Sequence, residues 1–181
     1  MNRMHMVMNS AAEGKIIVYY GKGEGKTSAS IGHAIRMLGH NKKVVILQFM
    51  KGRQTTGEYQ FLKHVDNIQM YLCGPPVFLD RESRKAHLKN AKEGLKIANR
   101  VLDEKQTDLL VLDEILYAVK FGLLTEDDVL ELLEKRGCTA IILSGRDPGD
   151  RIIEMADIVT HTEQIKYHWD KNSNATTMMG Y

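Results

Sequence analysis

The chain has 181 residues, 43% of them hydrophobic and 27% charged, a composition that suits one globular domain with a sizeable core. Lys plus Arg (25) nearly balance Asp plus Glu (23), which argues against the basic field that gathers nucleic acid non-specifically. No run approaches the ~18 apolar residues of a membrane span, and "MNRMHMVMNS" lacks the apolar stretch of a secretion signal, so no membrane partner and a cytoplasmic location are expected. Cys73 and Cys138 form neither a zinc spacing nor a disulfide framework and read as two buried thiols in a reducing compartment.

Residues 1–13 read as an N-terminal arm, expected to be a mobile tail although Met4, Met6 and Met8 alternate; residues 14–181 read as a single nucleotide-binding domain. "IIVYY" (16–20) is a short buried strand that runs straight into "GKGEGKTSAS". Ile31, Ile35 and Leu38 then keep helical spacing, and Gly39 is expected to end that helix with a positive φ. "KVVILQF" (43–49) and "NIQMYL" (67–72) are the next strands. From Glu82 to Lys105, Leu88, Ala91, Leu95, Ala98 and Leu102 recur every three or four residues, the signature of a long amphipathic helix.

"LLVL" (109–112) is a fourth strand ending in Asp113 and Glu114. "TEDDVLELLEKRG" reads as a helix with Thr125 as its cap, Asp128 completing a capping box and Gly137 closing it. "TAIIL" (139–143) is a fifth strand, and "RDPGDRIIEMADIV" reads as a helix capped by Asp147 with Pro148 in its first turn. Strands alternating with helices imply an α/β fold, a mainly parallel sheet with helices on both faces.

The glycine loop carries the chemistry. Backbone N–H groups and the positive end of the following helix favour a polyphosphate, Lys26 adds a cation, and Thr27 offers a hydroxyl to Mg²⁺. The nucleotide-binding set is Gly21, Lys22, Gly23, Glu24, Gly25, Lys26, Thr27 and Ser28, with Lys22 and Glu24 equally suited to facing water. Only three residues separate Gly21 from Gly25, one fewer than G-x-x-x-x-G-K-[ST] prescribes. The metal set is Thr27 with Asp113 or Glu114, the acidic pair at a strand end. Arg146, in "SGRD", reaches the same edge of the sheet or is a surface arginine beside Asp147. Lys26, Glu114 and Arg146 are thus the catalytic candidates. His33, His64, His87, His161 and His168 show no ligand spacing and read mostly as surface or partly buried; Ser28, Ser30 and Ser144 lack a base for a nucleophilic triad.

"GKGEGKTSASIGHAIRMLGHNKKVVILQFMKG", "DLLVLDEILYAVKFGLLTEDDVLELL", "ILSGRD" and "EMADIVTHTEQIKYH", in that order, resemble the P-loop-type ATP:corrinoid adenosyltransferases, from about Gly14 to about Asp170. The resemblance implies a P-loop NTPase-like (RecA-like) fold and transfer of the 5′-deoxyadenosyl group of ATP to the cobalt(I) of a corrinoid. The whole triphosphate leaves, and ATP lies in the opposite sense to ordinary P-loop enzymes. It further implies Mg²⁺ as cofactor, triphosphate on Gly21 to Thr27, phosphate support from Arg146, a homodimer and a flavoprotein reductant. Where many members carry a G-x-G-F-T-W-like segment, this chain has "CGPPVFLDRESR", which leaves Phe78 as the nearest aromatic for the corrinoid; the tail "HWDKNSNATTMMGY" also departs from the usual closing G-I-E-[YF]. Two other readings share the loop: a nucleoside-kinase-like phosphotransferase with Glu114 as base, and a corrinoid-independent ATPase or nucleotide switch.

Overall fold

The computed structural model describes residues 13–166, so the expected arm and the C-terminal tail lie almost wholly outside the described residues. Six strands form one sheet in the order β3-β2-β4-β5-β1-β6: β1 (Ile16–Gly21), β2 (Val44–Phe49), β3 (Ile68–Cys73), β4 (Leu109–Asp113), β5 (Ala140–Gly145) and β6 (Ile158–Thr162). Every pairing is parallel. β2 and β4 are buried along their whole length, which is why they read as continuous apolar runs rather than alternating ones.

Alternate strand residues feed two cores. Ile17, Val44, Ile46, Leu109, Val111 and Ile142 pack with Ala34 of α1 (Lys26–Leu38) and Leu62 of α2 (Gly57–Leu62) on one face. Val18, Val45, Leu47, Leu110, Leu112 and Leu143 point the other way, with the period of two that a strand imposes. They meet α3 (Arg84–Glu104), α4 (Ile115–Lys120), α5 (Glu126–Glu134) and α6 (Asp150–Met155). No helix among the described residues is long and apolar enough to cross a membrane.

Most expected elements are present, with instructive differences. The capping box of α5 is formed, Thr125 Oγ1 accepting from the Asp128 N–H at 3.1 Å and the Asp128 carboxylate from the Thr125 N–H at 2.7 Å. Gly39, however, has φ −61°, and the left-handed residue is Asn41, at φ 56°. Asp147 does not cap α6: it is itself left-handed at φ 54° and pairs with Lys120, while Gly149 precedes the helix. On α3, Ala91, Ala98 and Leu102 are buried as expected, joined by His87, Gly94 and Val101. The buried His87 ring places Nε2 3.2 Å from the Val77 carbonyl, while its Nδ1 has no hydrogen-bond partner among the described residues. Cys73 is buried, but Cys138 is exposed in the turn before β5.

"ADIVTHT" is not a continuation of α6 but the edge strand β6. Asp157 redirects the chain there. Its carboxylate accepts from the Ile16 N–H at 2.8 Å and from Lys15 Nζ at 2.7 Å, and its own N–H donates to the Ile16 carbonyl at 2.9 Å. Those bonds lay the following residues along the open side of β1.

Candidate nucleotide and corrinoid site

The C-terminal ends of β1, β2, β4 and β5 converge on one edge of the sheet, where parallel α/β folds place their ligands. In β2, β4 and β5 the polar residues Gln48, Asp113 and Ser144 lie only at that end, and Gln48 and Asp113, in register across β2 and β4, are both fully buried. A buried carboxylate needs donors, and Asp113 has several. Its Oδ1 accepts from Ser144 Oγ (2.6 Å) and Thr27 Oγ1 (2.9 Å), and its Oδ2 from Lys51 Nζ (2.9 Å) and Gln48 Nε2 (3.2 Å). Burial alone would raise the Asp113 pKa, but the Lys51 charge and these hydrogen bonds outweigh it and hold the carboxyl below its ordinary value. Lys51 shows the other half of the pair: burial disfavours its charge, yet Asp113 keeps its pKa above the ordinary value.

Glu114 behaves oppositely. It stands in the left-handed conformation at φ 63°, its N–H held by Ser144 Oγ at 2.9 Å. Burial first, and the adjacent Asp113 charge second, raise its pKa to about 7, against the pull of Lys51 and Lys26. Two neighbouring carboxylates are thereby split, one firmly ionised and one poised near neutrality.

The glycine loop packs closely against the end of β6. A Cβ on Gly21 would lie 2.2 Å from the Thr162 carbonyl oxygen, and one on Gly23 would lie 2.8 Å from that of Glu163. Gly23 N–H donates to the Thr162 carbonyl at 3.0 Å, and Thr162 Oγ1 donates to the Tyr20 and Gly23 carbonyls at 3.0 and 3.2 Å. Gly25 has open space around it, but its φ of 93° favours glycine. It precedes α1 without a side-chain cap, so the first N–H groups of α1 lack intrahelical partners and face the loop.

Lys26 is buried and bonds the Gly23 carbonyl at 2.5 Å; burial, and secondarily the Arg146 charge, lower its pKa against the opposing pull of Glu114. Thr27 faces Asp113, whereas Lys22, Glu24 and Ser28 are exposed. Arg146 follows β5, half-buried beside Tyr117, and its expected alternative partner Asp147 is taken by Lys120. The structure thus gathers Lys26, Thr27, Asp113, Glu114 and Arg146. It does not bring Phe78 into that cluster: Phe78 is 87% exposed beyond β3, with the Arg53 guanidinium 6.0 Å from its ring centroid, so it is not core packing.

Sequence reasoning missed Lys51, Gln48, Ser144 and Thr162 as parts of this site. In the sequence Ser144 stands out only as a serine without a base, and Lys51 only as part of the family-like stretch that ends in "QFMKG". A polar residue interrupting an apolar strand run, as Gln48 does before Phe49, is the signal that could have marked β2. Among the described residues no cluster of three or more His, Cys, Asp or Glu side chains could hold a metal alone. The hydroxyl and carboxylates present are hard oxygen donors, suited to a cation that shares its shell with phosphate and water.

The sequence profile of the family described as ATP:corrinoid adenosyltransferase BtuR/CobO/CobP matches residues 12–181. A corrinoid adenosyltransferase of Escherichia coli is 33% identical over 170 residues, covering 93% of this chain and 86% of that protein. One of Pseudomonas aeruginosa is 32% identical over 156 residues, covering 85% and 77%. A KaiC-like protein of Pyrococcus horikoshii shares the fold, with a TM-score of 0.51 at 15% identity, covering 82% of this chain and 72% of that one. The all-parallel sheet with its loop after β1 is a P-loop NTPase-like fold, and the chain belongs to the ATP:corrinoid adenosyltransferase family.

Proposed function

We propose that this corrinoid adenosyltransferase takes its adenosyl group from ATP and places it on the cobalt(I) of a corrinoid in cobalamin biosynthesis or salvage. Cobalt(I) attacks C5′ with its electron pair, a Co–C bond forms, the C5′–O bond breaks, and the pair leaves on triphosphate. The observation that carries this reading is the cluster of Lys26, Thr27, Asp113 and Arg146 at the loop, whose two cations and hydroxyl suit an anionic leaving group. Gly21 to Thr27 would hold the triphosphate, and Lys26 and Arg146 would offset the charge that develops on it. Thr27 with Asp113 or Glu114 would hold Mg²⁺, which would screen the phosphate oxygens. Cobalt(I) needs no general base, so alignment and charge stabilisation are the protein's tasks.

Phe78 and its neighbour Val77, both exposed, would offer the corrinoid an apolar surface. The proposal extends to a single domain over residues 14–181 behind an N-terminal arm, a homodimer, a flavoprotein reductant and a cytoplasmic site of action. Reducing surroundings suit cobalt(I), which supports the last two.

One observation favours a second reading. Glu114, with a pKa of about 7, is a fit general base for phosphoryl transfer to a hydroxyl. Anaerobic incubation with Mg-ATP and chemically reduced cob(I)alamin separates the two. Adenosyl transfer yields a light-sensitive alkylcobalamin, at a rate that Lys26→Ala lowers about 10²–10³-fold. Phosphoryl transfer or ATPase activity yields ADP with or without corrinoid, and that outcome would reject the proposal.

A further inference from the structure

Asp113 has no room for another partner. A carboxylate offers about four lone-pair sites, and at Asp113 four donors face them: Ser144, Gln48, Lys51 and the single Thr27 hydroxyl, whose oxygen lies 2.9 and 3.2 Å from the two carboxylate oxygens. A metal ion reaches this oxygen set only if a donor leaves. Gln48 and Ser144 are fully buried and fixed by their strands. Lys51 differs: its side chain is 28% exposed, its stem is long, and its ammonium spans Asp113 Oδ2 at 2.9 Å and Thr27 Oγ1 at 3.4 Å. It therefore sits between two of the protein oxygens expected to share Mg²⁺. Two cations cannot occupy that place together.

Granted the Mg-ATP reading above, we propose that Lys51 is a resident counter-ion for Asp113, displaced when Mg²⁺ arrives with ATP and then turned toward the triphosphate. Before Mg-ATP binds, the ammonium at 2.9 Å pairs the buried carboxylate, whose charge would be costly alone. Displacing it into water with no new anion is unfavourable, so Mg²⁺ alone binds weakly. A triphosphate supplies that anion, so metal and nucleotide enter together, and Lys51 adds a third cation to Lys26 and Arg146 around the leaving group.

The test uses the full chain, with Mn²⁺ followed by electron paramagnetic resonance as the probe for nucleotide-free metal binding. Lys51→Met should bind Mn²⁺ at least about tenfold more tightly than wild type, Lys51→Arg should match wild type, and Asp113→Asn added to Lys51→Met should remove the gain. Equal Mn²⁺ affinity in Lys51→Met and wild type would overturn the proposal. Amine acylation of wild-type Lys51, read by mass spectrometry, needs no variant to fold: its rate should be unchanged by Mg²⁺ and changed by Mg-ATP. A response to Mg²⁺ alone would also overturn the proposal. Calorimetry of ATP with Mg²⁺ or with chelator separates the two levels. If Mg²⁺ does not strengthen ATP binding, the Mg-ATP reading fails and this proposal with it; if it does, a negative Mn²⁺ result strikes the Lys51 role alone.

Discussion

The proposed phosphate side of the site and the proposed acceptor side are built differently. Around Asp113, side chains from β2, β4, β5 and α1 interlock through buried hydrogen bonds, and β6 fastens the glycine loop through Thr162. Beyond β3, residues 77–80 present Phe78 to solvent, held by Ser83 Oγ on the Phe78 carbonyl at 2.8 Å and by His87 on the Val77 carbonyl at 3.2 Å. The first region is preorganised, as electrostatic stabilisation of a leaving group demands. The second offers area and little fixed geometry, which suits a large ring bound mainly by apolar contact. Substitutions on the two sides should accordingly fail in different ways.

The largest expected effect is on the phosphate side. Lys26→Ala should lower kcat about 10²–10³-fold, the usual loss on removing one preorganised donor, while its circular dichroism stays that of wild type. A collapse of the fold instead would mean that the Lys26 to Gly23 bond is structural rather than a waiting position for phosphate.

Next comes pH. The folded pKa of Glu114, about 7, lies above its ordinary value of 4.5, so the folded state binds the extra proton. Its contribution to stability is full below pH 4.5 and is lost as pH rises to 7, by up to ~3 kcal/mol for a shift of this size. Asp113 works the other way, its lowered pKa adding stability that is lost only in acid. Urea unfolding of the unliganded chain at pH 5 and 8 measures the Glu114 effect, and Glu114→Gln should flatten it. An unchanged slope in that variant would remove Glu114 as its source.

Gly23→Ala tests the fastening by β6. A methyl group 2.8 Å from the Glu163 carbonyl must push the loop or the strand end aside, at a cost of ~1–3 kcal/mol. ATP affinity should fall with stability; calorimetry showing lower stability with unchanged affinity would uncouple β6 from the loop. The smallest structural effect belongs to Phe78→Ala. At 87% exposure it should leave stability within ~0.5 kcal/mol. It should raise the KM for corrinoid a few-fold and leave the KM for ATP alone. A matching rise in both would erase the distinction between the two sides.

The contrast also explains what the sequence made legible. The loop, Thr27 and the Asp113–Glu114 pair each lie within one short stretch where a strand ends, so local pattern revealed them. Lys51 comes 62 residues before Asp113, and its role exists only because β2 lies beside β4 in the sheet. Thr162 lies 139 residues beyond Gly23, on an edge strand whose exposed residues carry no burial pattern. α2 and α4, six residues each, are too short for helical periodicity to show. Asp157, which turns the chain from α6 to β6, acts through Ile16 at the other end of the chain.

The central claim, that the phosphate side holds a leaving group and the acceptor side receives a corrinoid, is tested most directly by product stoichiometry. With Mg-ATP and cob(I)alamin under anaerobic conditions, one triphosphate should be released for each cobalt alkylated, without ADP or orthophosphate. Release of ADP or orthophosphate in step with turnover, or ATP consumption without corrinoid, would contradict it.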